Sequence, residues 1–365
     1  MNNTSCSEKW RPLWRRKTSC RRMHRSFSRE RLVFVGLVLV LLAAMQGSLL
    51  LGKYPVSLDD YRQFTHLLIT GQFDAARQQF ATLYSVLFEI RLPRIIAAVV
   101  IGASLSVAGS TFQAMFVNPL VSPGILGVLA GSSFGAALGM VLQLPWLGVQ
   151  VAAFVFGSLA VATAVLIAML YRNSRSVIIL ILGGVISSAL FTALLSVLKY
   201  SADPYDTLPA IVYWLMGSLS FSDKDTILLL AGPMLFSVVV LTLMAKYLNA
   251  LSLGDEEAQS LGLNVRRIKA IAITLATLVS ALCVVMAGVI GWIGLIIPHM
   301  ARLLLGADNR KVLPASALIG ALFLLVTDNL SRTLFVHEIP IGILTSLVGI
   351  PIFIIVLKNA REGFH

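Results

Sequence analysis

Apolar residues gather into ten stretches, at about 32–52, 93–116, 124–143, 147–170, 177–198, 227–248, 268–290, 292–305, 312–330 and 341–357. A helix needs roughly 20 mostly apolar residues to cross the hydrocarbon of a bilayer, and Leu32–Leu51 and Ile271–Ile290 meet that length. The alternation of a transmembrane barrel is missing, so helices must satisfy the backbone. The pattern predicts an all-α, polytopic membrane protein of about ten transmembrane helices. No composition shift divides it: a basic tail over 1–31, one ten-helix domain over 32–358 and a short tail over 359–365.

Three polar interruptions stand out. Lys53 to Arg94 holds helical stretches starting at Asp59 and Asp74 and is expected to rest on the membrane surface. Tyr200 to Thr226 carries Pro204, Pro209, Tyr213 and Trp214, the aromatics suiting an interfacial belt. Asn249 to Lys269 is mixed in charge. If Gly254, Ala258 and Leu261 share a helical face while Asp255, Glu256 and Glu257 crowd the first turn, the segment is a short amphipathic helix on which a cytosolic partner can push.

Composition supports the same class: 57% hydrophobic and 13% charged residues exclude a soluble domain. The net charge of +12 raises nucleic acid as a partner, but the cations follow the membrane instead. With both termini inside, 21 of the 29 Lys and Arg fall in inner segments. The paired arginines Arg15-Arg16 and Arg21-Arg22 precede a run too long for a cleaved signal, so the first span is an anchor. Its tail is expected to be disordered and to bind anionic lipid heads. Cys6, Cys20 and Cys283 imply no disulfide framework.

Candidate chemistry is sparse. Glycines 127, 131, 135 and 139 (Gly127, Gly131, Gly135, Gly139) share one face of the third span, a small-xxx-small pattern for close helix packing. Arg91-Leu-Pro-Arg94, with Pro93 suited to a helix's first turn, and Arg332 put three cations on the outer side. They suit either forked bonds to a partner's carboxylates or snorkelling at the interface. Asn118-Pro119-Leu120-Val121-Ser122-Pro123 forbids continuous helix and is either a gate or a rigid turn, with Tyr171–Ser176 as an opposing lip. His299 lacks a second metal ligand at useful spacing, so a structural hydrogen bond is expected. Asp328 stands four residues before Arg332, a spacing that favours an ion pair over a proton relay. No nucleotide-binding G-x-x-x-x-G-K-[ST] occurs, so any ATP belongs to another chain.

In order and spacing these segments resemble the iron-chelate and cobalamin permeases, the transmembrane subunits of type II ATP-binding-cassette importers. Arg91–Arg94, Asn118–Pro123, Leu126-Gly127, Gly254–Gly262, Gly294 with Pro298, His299 and Arg302, and Glu338-Ile-Pro-Ile-Gly342 carry the resemblance, from about Arg91 to Leu357. Trp292 in place of Phe, Val121 in place of Ala and the long tail depart from it. The resemblance implies a pair of such subunits, two cytosolic ATPases that bind ATP and Mg, and a periplasmic binding protein, all at a bacterial inner membrane. This chain then carries no cofactor, no metal and no catalytic residue. Arg91, Arg94 and Arg332 would receive acids of the binding protein. Gly254, Asp255, Glu256, Glu257, Ala258, Ser260, Leu261 and Gly262 would form the coupling helix, within coupling helices over 249–267. Asn118, Pro119 and Leu120, with Asn173 and Ser174, would form cytoplasmic gates.

An iron chelate, foremost a ferric siderophore, is the expected substrate, with haem, cobalamin and molybdate as alternatives. A proton-driven secondary transporter using Asp328 or Glu89 is the rival of another class. It lacks a midplane acid pair.

Overall fold

The computed structural model describes residues 14–54, 56–170, 177–221 and 223–362. Among them every regular element is helical. In chain order these are α1 (Trp14–Leu50), α2 (Leu58–Ile69), α3 (Phe73–Gln79), α4 (Ala81–Tyr84), α5 (Leu92–Phe116), α6 (Val128–Val141), α7 (Trp146–Leu170), α8 (Val177–Ser201), α9 (Thr207–Leu215), α10 (Lys224–Leu243), α11 (Ala245–Leu251), α12 (Asp255–Ser260), α13 (Val265–Ala287), α14 (Ile293–Leu305), α15 (Asn309–Thr333) and α16 (Ile341–Glu362). Seven apolar helical runs are long enough to cross a membrane, and α6, α14 and the part of α16 to Ile355 are shorter apolar helices. Together they coincide with the ten predicted stretches.

Two boundaries differ from expectation. The tail read as disordered is helical from Trp14, continuous with the first span. Pro93 does stand in the first turn of α5, but a helical run already reaches it from Ala81, so the second span begins earlier than expected. Proline offers no N–H to a bond four residues back, and the run absorbs this through a π-helical segment, Ser85–Arg91, where the Leu92 N–H donates to the Leu87 carbonyl.

The bundle is built around α5, buried along nearly its whole length. It packs against α10, α13, α14 and α15, and small residues make those approaches possible. A Cβ on Gly109 would overlap the Gly294 carbonyl of α14, and one on Gly102 would overlap that of Gly320 on α15. The glycine face of α6 behaves similarly. Gly131 and Gly135 meet the backbone of α7 at Phe156 and Ala152, and a Cβ on Gly139 would lie 3.0 Å from the Val149 Cα. Gly127 departs from that row: with φ 87 it forms the turn between the Pro123–Leu126 3-10 helix and α6.

With 14 and 13 residues, α6 and α14 rise only about 20 Å, short of the roughly 30 Å hydrocarbon. Non-helical backbone therefore leads into both. Such backbone survives at membrane depth only where protein covers it, and Pro123 lies against Gly294 at the head of α14. Outside the spans, α2 and α3 are the surface helices expected from Asp59 and Asp74. They close over Phe64, Ala76, Leu83 and Leu87.

Candidate functional site

The three arginines do meet at one end of the bundle, but they turn inward. Arg91, Arg94 and Arg332 are 3%, 8% and 7% exposed, which corrects the expectation that they face the outer surface. Arg91 Nη1 donates to the carbonyls of Leu49 and Leu50 (2.6 and 3.2 Å), and Nη2 donates to that of Tyr54 (2.7 Å). The last carbonyls of α1 have no helical partners, and a guanidinium there satisfies them and complements the helix dipole.

Arg94 joins three elements. Its Nε donates to Asp328 Oδ1 at 2.8 Å, and Nη1 donates to Glu338 Oε2 at 2.9 Å and Ser220 Oγ at 3.0 Å. Arg332 Nε lies 3.1 Å from Asp328 Oδ2, the predicted i,i+4 pair. Arg332 Nη2 donates to Ser48 Oγ at 3.0 Å and to Asn329 Oδ1. A fully buried carboxylate without partners would be very costly, and here two guanidinium groups hold it. That arrangement removes Asp328 as a proton relay, and Glu89 is exposed, so the secondary-transporter reading has no midplane acid among the residues it named.

Glu338 is the accessible member, its side chain 32% exposed. Burial pushes its carboxyl up, but the Arg94 charge and hydrogen bonds from Arg94 and Ser220 outweigh this and hold it below the usual carboxylate range.

The other end carries an elbow of α11, α12 and the start of α13. Gly254 turns the chain with φ 121, a conformation that L side chains rarely adopt, and Asp255, Glu256 and Glu257 fill the first turn of α12. Ala258 is fully buried while Leu261 is exposed, so Gly254, Ala258 and Leu261 do not form a single buried face. Six residues make fewer than two turns, too few for such a stripe to develop. Glu256, Glu257, Ser260, Leu261 and Gly262 all face outward.

The elbow is tied to the spans. Lys269 Nζ donates to Asp255 Oδ2 at 2.6 Å, joining α12 to α13. Asn249 Nδ2 donates to Asp308 Oδ1 at 2.7 Å, and the Asn309 N–H donates to Asn249 Oδ1 at 2.8 Å, joining α11 to the start of α15.

Between α5 and α6, Asn118, Pro119 and Leu120 are exposed on a tight turn. Val117 takes the left-handed conformation at φ 48, and Asn118 Oδ1 accepts the Leu120 N–H at 2.9 Å. Asn173 and Ser174 lie outside the described residues.

Arg302 Nη1 donates to Gln113 Oε1 across α14 and α5, and Gln113 Nε2 donates to the Leu295 carbonyl at 3.2 Å. The expected structural hydrogen bond of His299 is not found at Nε2, which is buried without a partner. Sequence reasoning missed Ser48, Gln113, Ser220 and Asn249. An isolated amide within an apolar run, as at Gln113, is the signal that could have exposed one of them.

This architecture is that of the membrane subunit of a type II ABC importer. A solved structure described as an inward-facing conformation of a metal-chelate type ABC transporter superposes with a TM-score of 0.80 at 37% identity, covering 90% of this chain and 99% of that one. PsaBC from Streptococcus pneumoniae, at 20% identity and a TM-score of 0.53, shares the fold. The FecCD transport family model matches residues 37–359, and the chain belongs to that family. Among its relatives, the molybdate import permease MolB of Haemophilus influenzae is 38% identical over 335 residues, 91% of this chain and 97% of that protein. The hemin transport permease HmuU of Yersinia pestis is 38% identical over 338 residues, 90% and 96%. A probable iron chelatin permease of Helicobacter pylori is 38% identical over 328 residues, 90% and 98%. The chain is therefore a multi-pass permease subunit, of a kind that is not itself an enzyme.

Proposed function

We propose that this chain carries an iron chelate, foremost a ferric siderophore, across a bacterial inner membrane with both termini in the cytoplasm. It works as a homodimer with two cytosolic ATPases, which bind ATP and Mg, and a periplasmic binding protein. The observation that carries the coupling role is the elbow: Glu256 and Glu257 present charge outward, while Asp255 and Asn249 link the same elbow to α13 and α15. A push there moves two membrane helices together, as rocking rigid bundles in alternating access require. Asn118, Pro119 and Leu120 gate the cytoplasmic end with Asn173 and Ser174.

The binding protein docks at the opposite end. Its carboxylates compete with Glu338 for Arg94, and Arg91 and Arg332 hold that surface in register. Exchange of one carboxylate for another leaves Arg94 paired, which avoids the large cost of an uncompensated buried charge.

Iron-chelate relatives support the substrate, and the similarity to MolB, at the same 38% identity, favours molybdate as the second reading. The test is uptake by proteoliposomes holding permease, ATPase and cognate binding protein, with labelled ferric siderophore and labelled molybdate offered in parallel. Siderophore accumulation supports the first reading, and molybdate accumulation replaces it with the second.

A further inference from the structure

Outside these sites, α7, α10 and α13 enclose a cavity of about 390 Å³, within the usual range of small-molecule pockets. Its lining separates by depth. Gln150, Asp225 and Thr226 lie near the helix ends, on the second turn of α7 and the first turn of α10, whereas Phe154, Leu230 and Leu282 lie deeper. Leu147, Val151 and Leu229 are exposed, so the cavity opens sideways from the bundle into the membrane. Trp146, next to Leu147, is exposed at the first position of α7, and aromatic side chains at the ends of spans suit the headgroup region.

Among the described residues, two polar groups in this lining make no side-chain hydrogen bond or ion pair, and one of them, Asp225, is exposed. Gln150 is 7% exposed and makes no side-chain hydrogen bond among the described residues, and its amide is not among the sealed-off polar groups, so it is open to the slot. Asp225 forms no ion pair among the described residues. An apolar slot with an amide at its neck and a carboxylate at its mouth complements an amphiphile with a hydrocarbon chain, an ester oxygen and a cationic head.

We propose that this cavity binds a phospholipid bearing an ammonium headgroup, of the ethanolamine type. The start of one acyl chain lies against Phe154 and Leu282, the ester region meets the Gln150 amide, and the ammonium meets Asp225. None of its lining residues is among those assigned above to docking, coupling or gating.

The test is native mass spectrometry of the full-length protein in mild detergent, titrated with phosphatidylethanolamine and with phosphatidylglycerol of identical chains. Wild-type protein should retain one ethanolamine lipid with about a fivefold preference, as one exposed ion pair allows. Val151→Trp, which fills the slot, should lose that lipid, and Asp225→Asn should bind both lipids equally. Leu229→Trp fills the slot from the opposite wall and serves if Val151→Trp does not fold. Equal binding of the two lipids by wild type, retention of the lipid by a folded filled variant, or a disulfide between two copies of Val151→Cys would overturn the proposal.

Discussion

The two ends of the bundle both concentrate acids and treat them in opposite ways. Asp328 is fully buried between two guanidinium groups, and with Glu338 it fastens α5, α15 and the turn before α16. Asp255, Glu256 and Glu257 stand on a six-residue helix with one ion pair among them. Buried charge makes the first end a fastening, since separating its members strands a charge away from water. Exposed charge makes the second a handle, whose removal costs the fold little and leaves its outward face changed.

That contrast can be broken most severely at Asp328. Asp328→Ala leaves Arg94 and Arg332 buried without their shared carboxylate and should destabilise the protein by about 3–5 kcal/mol, read as loss of folded protein in detergent melts. Gly109→Leu attacks the same frame by a different route. Its side chain has no space against Gly294, so folded yield should fall sharply on size-exclusion chromatography. At the handle, Asp308→Ala removes the cap of α15 and the Asn249 contact together and should cost about 0.5–2 kcal/mol in the same melts. Asp255→Asn should cost no more than about 1 kcal/mol, because the Lys269 pair is partly exposed.

The smallest effect concerns pH. The Glu338 carboxyl is held below its unfolded value, so its contribution is present above the unfolded pKa and is lost as pH falls through the folded one. Acidification should therefore loosen the turn at Glu338 more in wild type than in Glu338→Gln, seen as faster amide exchange at Ile339 and Ile341.

The apolar stretches located the seven spanning runs and the three shorter apolar helices, because hydrocarbon leaves few alternatives for the backbone. The glycine row of α6 was legible for the same reason: only small residues allow such close approach, and Gly131, Gly135 and Gly139 do meet α7. The Asp328–Arg332 pair followed from helical spacing. Arg91 and Arg94 read as surface cations because their partners, the carbonyls at the end of α1 and the carboxylates of Asp328 and Glu338, come from distant parts of the chain. Spacing within Arg91–Arg94 contains nothing of those partners. Leu261 misled in a simpler way, since a helical-face argument needs more turns than α12 possesses.

The central claim is that the elbow passes a neighbour's nucleotide cycle into the membrane helices. Its most direct measurement is ATP-dependent uptake in proteoliposomes with binding protein and ATPase present, comparing wild type with a variant whose Asp255, Glu256 and Glu257 are neutralised as Asn, Gln and Gln. The account predicts that the variant folds, inserts and binds its partners' substrate complex but does not accumulate solute. Normal accumulation by that variant, or accumulation against a gradient by wild-type permease without any ATPase, would contradict it.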